Sequence, residues 1–117
     1  MEITINDAKT LQEIQQEFNQ YFPNLKIEFF KKEHELKEGN QAKDVVDLQK
    51  KIGEVRKVHH SGGLSINGHK KVVSLEKEFE EKYGLNAQVF RRSGRVWLQT
   101  TATDEWTLAE QNQAGHE

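Results

Sequence analysis

The chain has five histidines, four serines and a spread of carboxylates available for chemistry, but no cysteine. That composition leaves out thiolate nucleophiles, zinc–thiolate sites and disulfides. His59 and His60 are adjacent, His69 is nearby, and His34 and His116 are remote. Neighbouring side chains on an extended strand point to opposite faces, and neither spacing is one that metal sites commonly use. Ser61, in His59-His60-Ser61-Gly62-Gly63, lacks the glycine two residues earlier that a nucleophile elbow requires. Gly63 and Gly68 have the first spacing of a phosphate loop, but His69 and Lys70 replace the Lys and Ser/Thr that must follow. Exposed loop histidines and a glycine turn account for these patterns. No catalytic residue, metal ligand or cofactor is assigned.

Two groups are better candidates for binding. Ala87–Arg91 and Arg95–Thr101 flank Ser93-Gly94, which reads as a hairpin turn. That register sets Val89 opposite Leu98 on one face and Phe90 opposite Trp97 on the other. Arg92 and Arg95 join Phe90 and Trp97 on the second face, and aromatics beside arginines can stack bases or seat a protein. The second group is Thr100, Thr101, Thr103 and Asp104, where the last strand meets the last helix. A helix N-terminus there could bind an anion or a carbonyl group, although strand and capping preferences explain the same residues. Trp106, next in line, reads first as a core anchor.

The elements that position these residues come from an internal repeat at an offset of 61. Ile3-Thr4-Ile5-Asn6 lies over Leu64-Ser65-Ile66-Asn67, Lys9 over Lys70, and Glu17 over Glu78. Leu11, Ile14, Phe18 and Phe22 meet Val72, Leu75, Phe79 and Tyr83, all at helical spacing. After a one-residue shift, Leu25, Ile27, Phe29 and Phe30 meet Leu85, Ala87, Val89 and Phe90. Each copy reads as strand–helix–strand. Thr10 with Glu13 makes a capping box, Pro23 ends the first helix and Gly84 the second. Lys71 is a poor cap, and Asn67-Gly68 competes as a hairpin signal. Thr107 with Glu110 is spaced as a further capping box.

The expected organisation is a single domain over 1–117. Repeat 1 covers 1–30, a basic connector 31–61, repeat 2 62–91, and a final strand and helix 95–112. Lys31–Ala42 reads as a polar loop, and Val45, Leu48, Ile52 and Val55 as an amphipathic helix weakened by Gly53. The predicted fold class is α+β. Its expected form is a ferredoxin-like two-layer sandwich of two βαβ repeats, with an extra strand and a short C-terminal helix. The alternative is an α+β roll in which the middle helix forms a third layer.

Composition sets outer limits. The 117 residues are 34% apolar and 31% charged, with a mean hydropathy of −0.88. Six Phe, two Trp and two Tyr can still anchor a small core. The net charge of −2 divides into −3 over 1–30, +4 over 31–71 and −3 over 72–117. Such a balance lacks the strong basic field of a dedicated nucleic-acid binder. No apolar run approaches the ~20 residues that span a bilayer, and Met1 opens no signal peptide, so a soluble cytoplasmic protein without a membrane partner is expected.

The stretch Val96-Trp97-Leu98-Gln99-Thr100-Thr101-Ala102-Thr103-Asp104-Glu105-Trp106-Thr107-Leu108-Ala109-Glu110-Gln111-Asn112 resembles a group of small uncharacterised bacterial proteins of Bacteroidetes type. The likeness extends through Gln88–Gly94 and Ile52–Arg56. It implies no site residue, because no activity is attached to the group.

The first reading of the Phe90–Trp97 pair is cover by the chain's own final or middle helix. As to function, the leading expectation is a non-enzymatic intracellular binding domain that holds a protein partner, or a second copy, through the Phe90–Trp97 face. One alternative is a weak single-stranded nucleic-acid binder using Arg91, Arg92, Arg95 and Trp97. A ferredoxin-like order opposes it, because the central strands would then carry Thr4 and Ser65 rather than aromatics. The other alternative is an enzyme with a site near Thr101 and Asp104.

Overall fold

A computed structural model describes residues 1–31 and 44–116. The polar loop expected after Lys31, and His34 with it, lie outside the described residues.

The first half forms β1 (Glu2–Ile5), α1 (Leu11–Tyr21) and β2 (Leu25–Phe30). The second forms β3 (Gly62–Ser65), α2 (Val72–Tyr83) and β4 (Asn86–Ser93), followed by β5 (Val96–Gln99) and α3 (Leu108–Ala114). The fold is mixed α+β. Among the described residues it has three α-helices and two antiparallel sheets, β1–β3 and β2–β4–β5.

Local sequence sets the helix ends. Thr10 Oγ1 accepts the Glu13 N–H at 3.2 Å while Glu13 Oε1 accepts the Thr10 N–H at 3.0 Å, so the capping box forms. Lys71 makes no side-chain cap. Asn67 folds into a turn instead of a hairpin, its Oδ1 accepting the His69 N–H at 2.9 Å. Gly84 ends α2 at a φ of 67°, a conformation that suits glycine, and the Leu85 N–H closes the cap on Phe79 O at 2.9 Å.

The expected single ferredoxin-like sheet does not form. β1 does pair with β3, but β2 and β4, which that plan places at opposite edges, pair with each other. Side chains from the helices explain this choice. Gln15 and Asn19 of α1 donate to the outer carbonyls of β2, at Ile27 (2.7 Å) and Leu25 (2.9 Å). Glu76 of α2 accepts the Val89 N–H of β4 at 2.9 Å. With those edges occupied, the remaining edges of β2 and β4 face each other.

The registers carry the repeat. Ile3 lies opposite Leu64 and Glu28 opposite Gln88, and in each pair the two residues occupy equivalent positions of the two halves. Each pair therefore sits on a local two-fold. The identities at Asn6/Asn67, Lys9/Lys70 and Glu17/Glu78 have a physical role. Lys9 Nζ donates to Thr4 O at 2.7 Å and pairs with Glu17; Lys70 Nζ donates to Ser65 O at 2.7 Å and pairs with Glu78.

The equivalence extends past the expected repeat boundaries. Val46 N–H bonds Phe29 O at 2.7 Å, as Thr100 N–H bonds Val89 O at 3.2 Å. Leu11 N–H bonds Lys50 O as Val72 N–H bonds Trp106 O, each at 3.0 Å. Ile52 N–H reaches Lys9 O at 2.8 Å, and Leu108 N–H reaches Lys70 O at 2.9 Å. No amphipathic helix forms over Val45, Leu48, Ile52 and Val55. Val45 bridges to Phe30, and a 3-10 turn at Ile52–Glu54 puts Ile52 into the core. Those apolar positions anchor on different elements, so their helical spacing is incidental.

The core gathers Ile3, Ile5, Leu11, Ile14, Phe18, Leu25, Ile27, Phe29, Leu64, Val72, Leu75, Phe79, Tyr83 and Val89 from both halves, with Ile52 and Leu108 closing it. Leu98, expected on this face, is 42% exposed.

Candidate binding surface

Gly94 and Arg95 form the two-residue turn of the β4–β5 hairpin, one residue later than the sequence reading places it. Gly94 takes a φ of 61°, as the first position of a primed hairpin turn needs. The register therefore moves by two: Arg92 lies opposite Trp97 and Phe90 opposite Gln99, not Phe90 opposite Trp97. A shift of two keeps the faces, so Phe90, Arg92 and Trp97 still share one side.

On that side Phe90 is covered and Trp97 is only partly so. Phe90 is 8% exposed and stacks on Phe30, with ring centroids 6.4 Å apart. Gln88, between them, is fully buried. Trp97 is half-buried, with Lys26 Nζ 5.0 Å and the Arg92 guanidinium 5.8 Å from its ring. Lys26, Trp97 and the α1 residues Gln15, Gln16 and Asn19 line a small open cleft of about 220 Å³. α3 does not cover this face. It lies on the other side, where Gln111 Oε1 accepts from Arg91 Nη1 at 2.8 Å.

Three exposed large apolar side chains lie on or just after β5, and Met1, Val45 and Val58 are exposed elsewhere. Val96 is 56% exposed, Leu98 42% and Trp106 40%. The Arg91 guanidinium lies 5.6 Å from the Trp106 ring, so Trp106 is a half-open surface residue rather than a core anchor. Arg95 is exposed in the turn.

The polar cluster after β5 serves the fold. Thr100 is buried and its Oγ1 donates to Val89 O at 2.9 Å. Thr103 accepts from Gln111 Nε2 through both its carbonyl and its Oγ1. The α3 N-terminus is occupied by the Thr107–Glu110 capping box and is not open to an anion. Among the described residues Thr101 Oγ1 is buried without a partner. Asp104 lines a cleft of about 190 Å³ with Glu76, Glu80, Glu81 and Lys77. Burial pushes the Glu76 carboxyl up to about 8; the nearby Asp104 charge adds to this and the Val89 N–H opposes it.

Two features escaped sequence reasoning. Glu76 belongs to an acidic run that reads as a solvated face. The repeat holds the signal, because Gln15 at the equivalent position also turns inward to a strand backbone. Arg56, in the connector, has a fully buried side chain that bonds Asp7 and also donates to Tyr83 O at 3.0 Å. Asp7 also meets His59 Nδ1 at 2.8 Å. A cleft of about 430 Å³ lies beside Arg56 and is lined by Phe29, Phe30, Val46 and Val58. Among the described residues no group of three or more His, Asp or Glu could hold a metal ion. No helix there is long and apolar enough to cross a membrane. Comparison with known proteins gives no match to a family model, a curated protein or a solved structure.

Proposed function

We propose that this chain is a non-enzymatic binding domain that holds a protein partner on the surface formed by β5 and Trp106. One observation carries the reading: Val96, Leu98 and Trp106 are exposed on and just after a single terminal strand, whereas the other exposed large apolar residues, Met1, Val45 and Val58, belong to three separate segments. The cationic contacts to Trp97 weigh against nucleic acid, because Lys26 and Arg92 already lie against the ring that a base would stack on. The same reading takes the cytoplasm as the compartment and the C-terminal signature as a tie to the bacterial group it resembles. It also treats the fold as a rearranged ferredoxin-like plan, on the strength of the retained β1–β3 pair.

A photo-crosslinking residue at Leu98, compared with one at Lys77 on the solvated side of α2, tests this in cells. Discrete protein adducts from position 98 and none from 77 are expected. Equal adducts from both, or none from either, overturn the reading.

A further inference from the structure

We infer that the outer edge of β5 accepts an extended acidic segment of a partner protein as an added antiparallel strand. The inference rests on the binding reading above and specifies the partner's chemistry.

Backbone geometry comes first. Thr100 N–H bonds Val89 O, so the backbone of Thr100 faces β4. Alternation along the strand then turns Leu98 and Val96 toward β4 and turns the N–H and C=O of Trp97 outward. No residue among those described bonds the Trp97 backbone. An open donor and acceptor on a terminal strand form a template for another chain.

The side chains define the guest. Val96 and Leu98 flank that backbone position on one face and offer apolar contact. Arg91, opposite Leu98, bonds a neutral amide and lies over Trp106, while Arg95 pairs with no carboxylate among the described residues. The nearby acids Glu28 and Glu105 already face Lys26 and Lys71. The strand is thus apolar with a positive border, and its complement is a strand alternating apolar and acidic residues. A second copy of this chain would bring its own Arg91 and Arg95 into the same interface, so charge favours an acidic guest over self-pairing.

The test uses a capped seven-residue peptide alternating glutamate and valine, its lysine–valine counterpart, and two N-methylated forms of the acidic peptide, one for each alternate set of residues. Isothermal titration of the full chain should show binding of the acidic peptide and at least about tenfold weaker binding of the basic one. One N-methylated form should lose binding and the other keep it, because only alternate N–H groups face the strand. Arg95→Glu should weaken the acidic peptide at least about fivefold. Equal binding of both peptides overturns the inference, as does equal tolerance of the two N-methylated forms. A dimer dispersed by Val96→Glu, or preferred binding of oligothymidylate, also overturns it. Should the acidic peptide fail while crosslinks from position 98 persist, the acidic-strand inference falls and the binding surface stands; loss of both removes both.

Discussion

Arg56 donates twice to one oxygen of Asp7, from Nε at 3.0 Å and from Nη2 at 2.7 Å, and so fastens the segment between the halves to the turn after β1. The third contact of Arg56, to Tyr83 O, ties the same segment to the end of α2. The two partners differ in burial: the Arg56 side chain is fully buried, whereas that of Asp7 is 44% exposed. Removing Asp7 strands a buried cation, while removing Arg56 leaves a carboxylate that water can reach. Asp7→Ala should therefore lower the urea midpoint further than Arg56→Met. Equal losses would mean that the pair acts only through packing.

The same contact predicts an acid response. The hydrogen bond from Arg56, with help from His59, holds the Asp7 carboxyl below its ordinary value, against a smaller opposing effect of burial. A depressed folded-state value gives stability that is present above the ordinary carboxylate range and is lost as pH falls through the folded value. Asp7→Asn should flatten that acid limb. An unchanged profile between pH 5 and pH 2, as about the range where such carboxylates titrate, would refute the assignment.

Glu76 predicts the opposite slope. Its value rises from 4.5 to about 8 on folding. Between those values the unfolded chain has released the proton and the folded chain retains it, so stability falls as pH rises. The effect is at most about 5 kcal/mol across that window. Glu76→Gln should remove the slope and stabilise the protein at pH 8.5, a value of about half a unit above the folded titration. Gln15 already occupies the equivalent position with a neutral amide. Urea unfolding at pH 5.5 and 8.5, about one unit above and half a unit beyond the two titration points, gives the comparison.

The sequence shows the two halves because their identities sit where chemistry is local. Asn6 and Asn67 shape turns, Lys9 and Lys70 hold strand carbonyls, and the capping boxes at Thr10 and Thr107 are read from four residues each. Strand pairing is not local. Nothing in β2 alone says that Gln15 and Asn19 will close one of its edges, so the sequence by itself predicts the ferredoxin-like order. The second part of each repeat carries a shorter signal: Lys51-Ile52-Gly53-Glu54 and Thr107-Leu108-Ala109-Glu110 share an apolar residue, a small residue and a glutamate, but at an offset of 56 rather than 61. At the candidate surface, composition pointed to the aromatics and arginines near β5. The two-residue register and the burial of Phe90 depend on the Gly94 turn and on Phe30, which only the folded chain brings together.

Ile52 and Leu108 provide a matched test of that shared role. Both are fully buried, and each N–H bonds the backbone of the turn before a helix. Replacing either by Ala removes a similar apolar volume from the same core, and each change should cost about 3 kcal/mol by chemical denaturation. A negligible effect at Ile52 with a full effect at Leu108 would show that the Ile52–Glu54 turn, a staple between the connector and the turn after β1, adds nothing to stability.

Gly53 separates the staple from the helix that the sequence pattern predicts. Within an α-helix, Gly→Ala stabilises by up to about 1 kcal/mol. In the staple, Gly53 N–H bonds Asp7 O at 3.1 Å, and an added Cβ would meet Asp7 Cβ at 2.8 Å and the Asp7 carbonyl oxygen at 3.2 Å. The other half makes the same approach with Gly68 against Ala109, where a Cβ on Gly68 would come within 3.1 Å of the alanine methyl. Each half thus places at least one glycine at this crossing. Gly53→Ala should destabilise by about 1–2 kcal/mol, because the backbone oxygen cannot yield without breaking the bond it accepts. It should also loosen the Asp7–Arg56 contact, visible as faster hydrogen exchange at Gly53 and Val55. A stabilised variant with unchanged exchange would restore the helical reading of this segment.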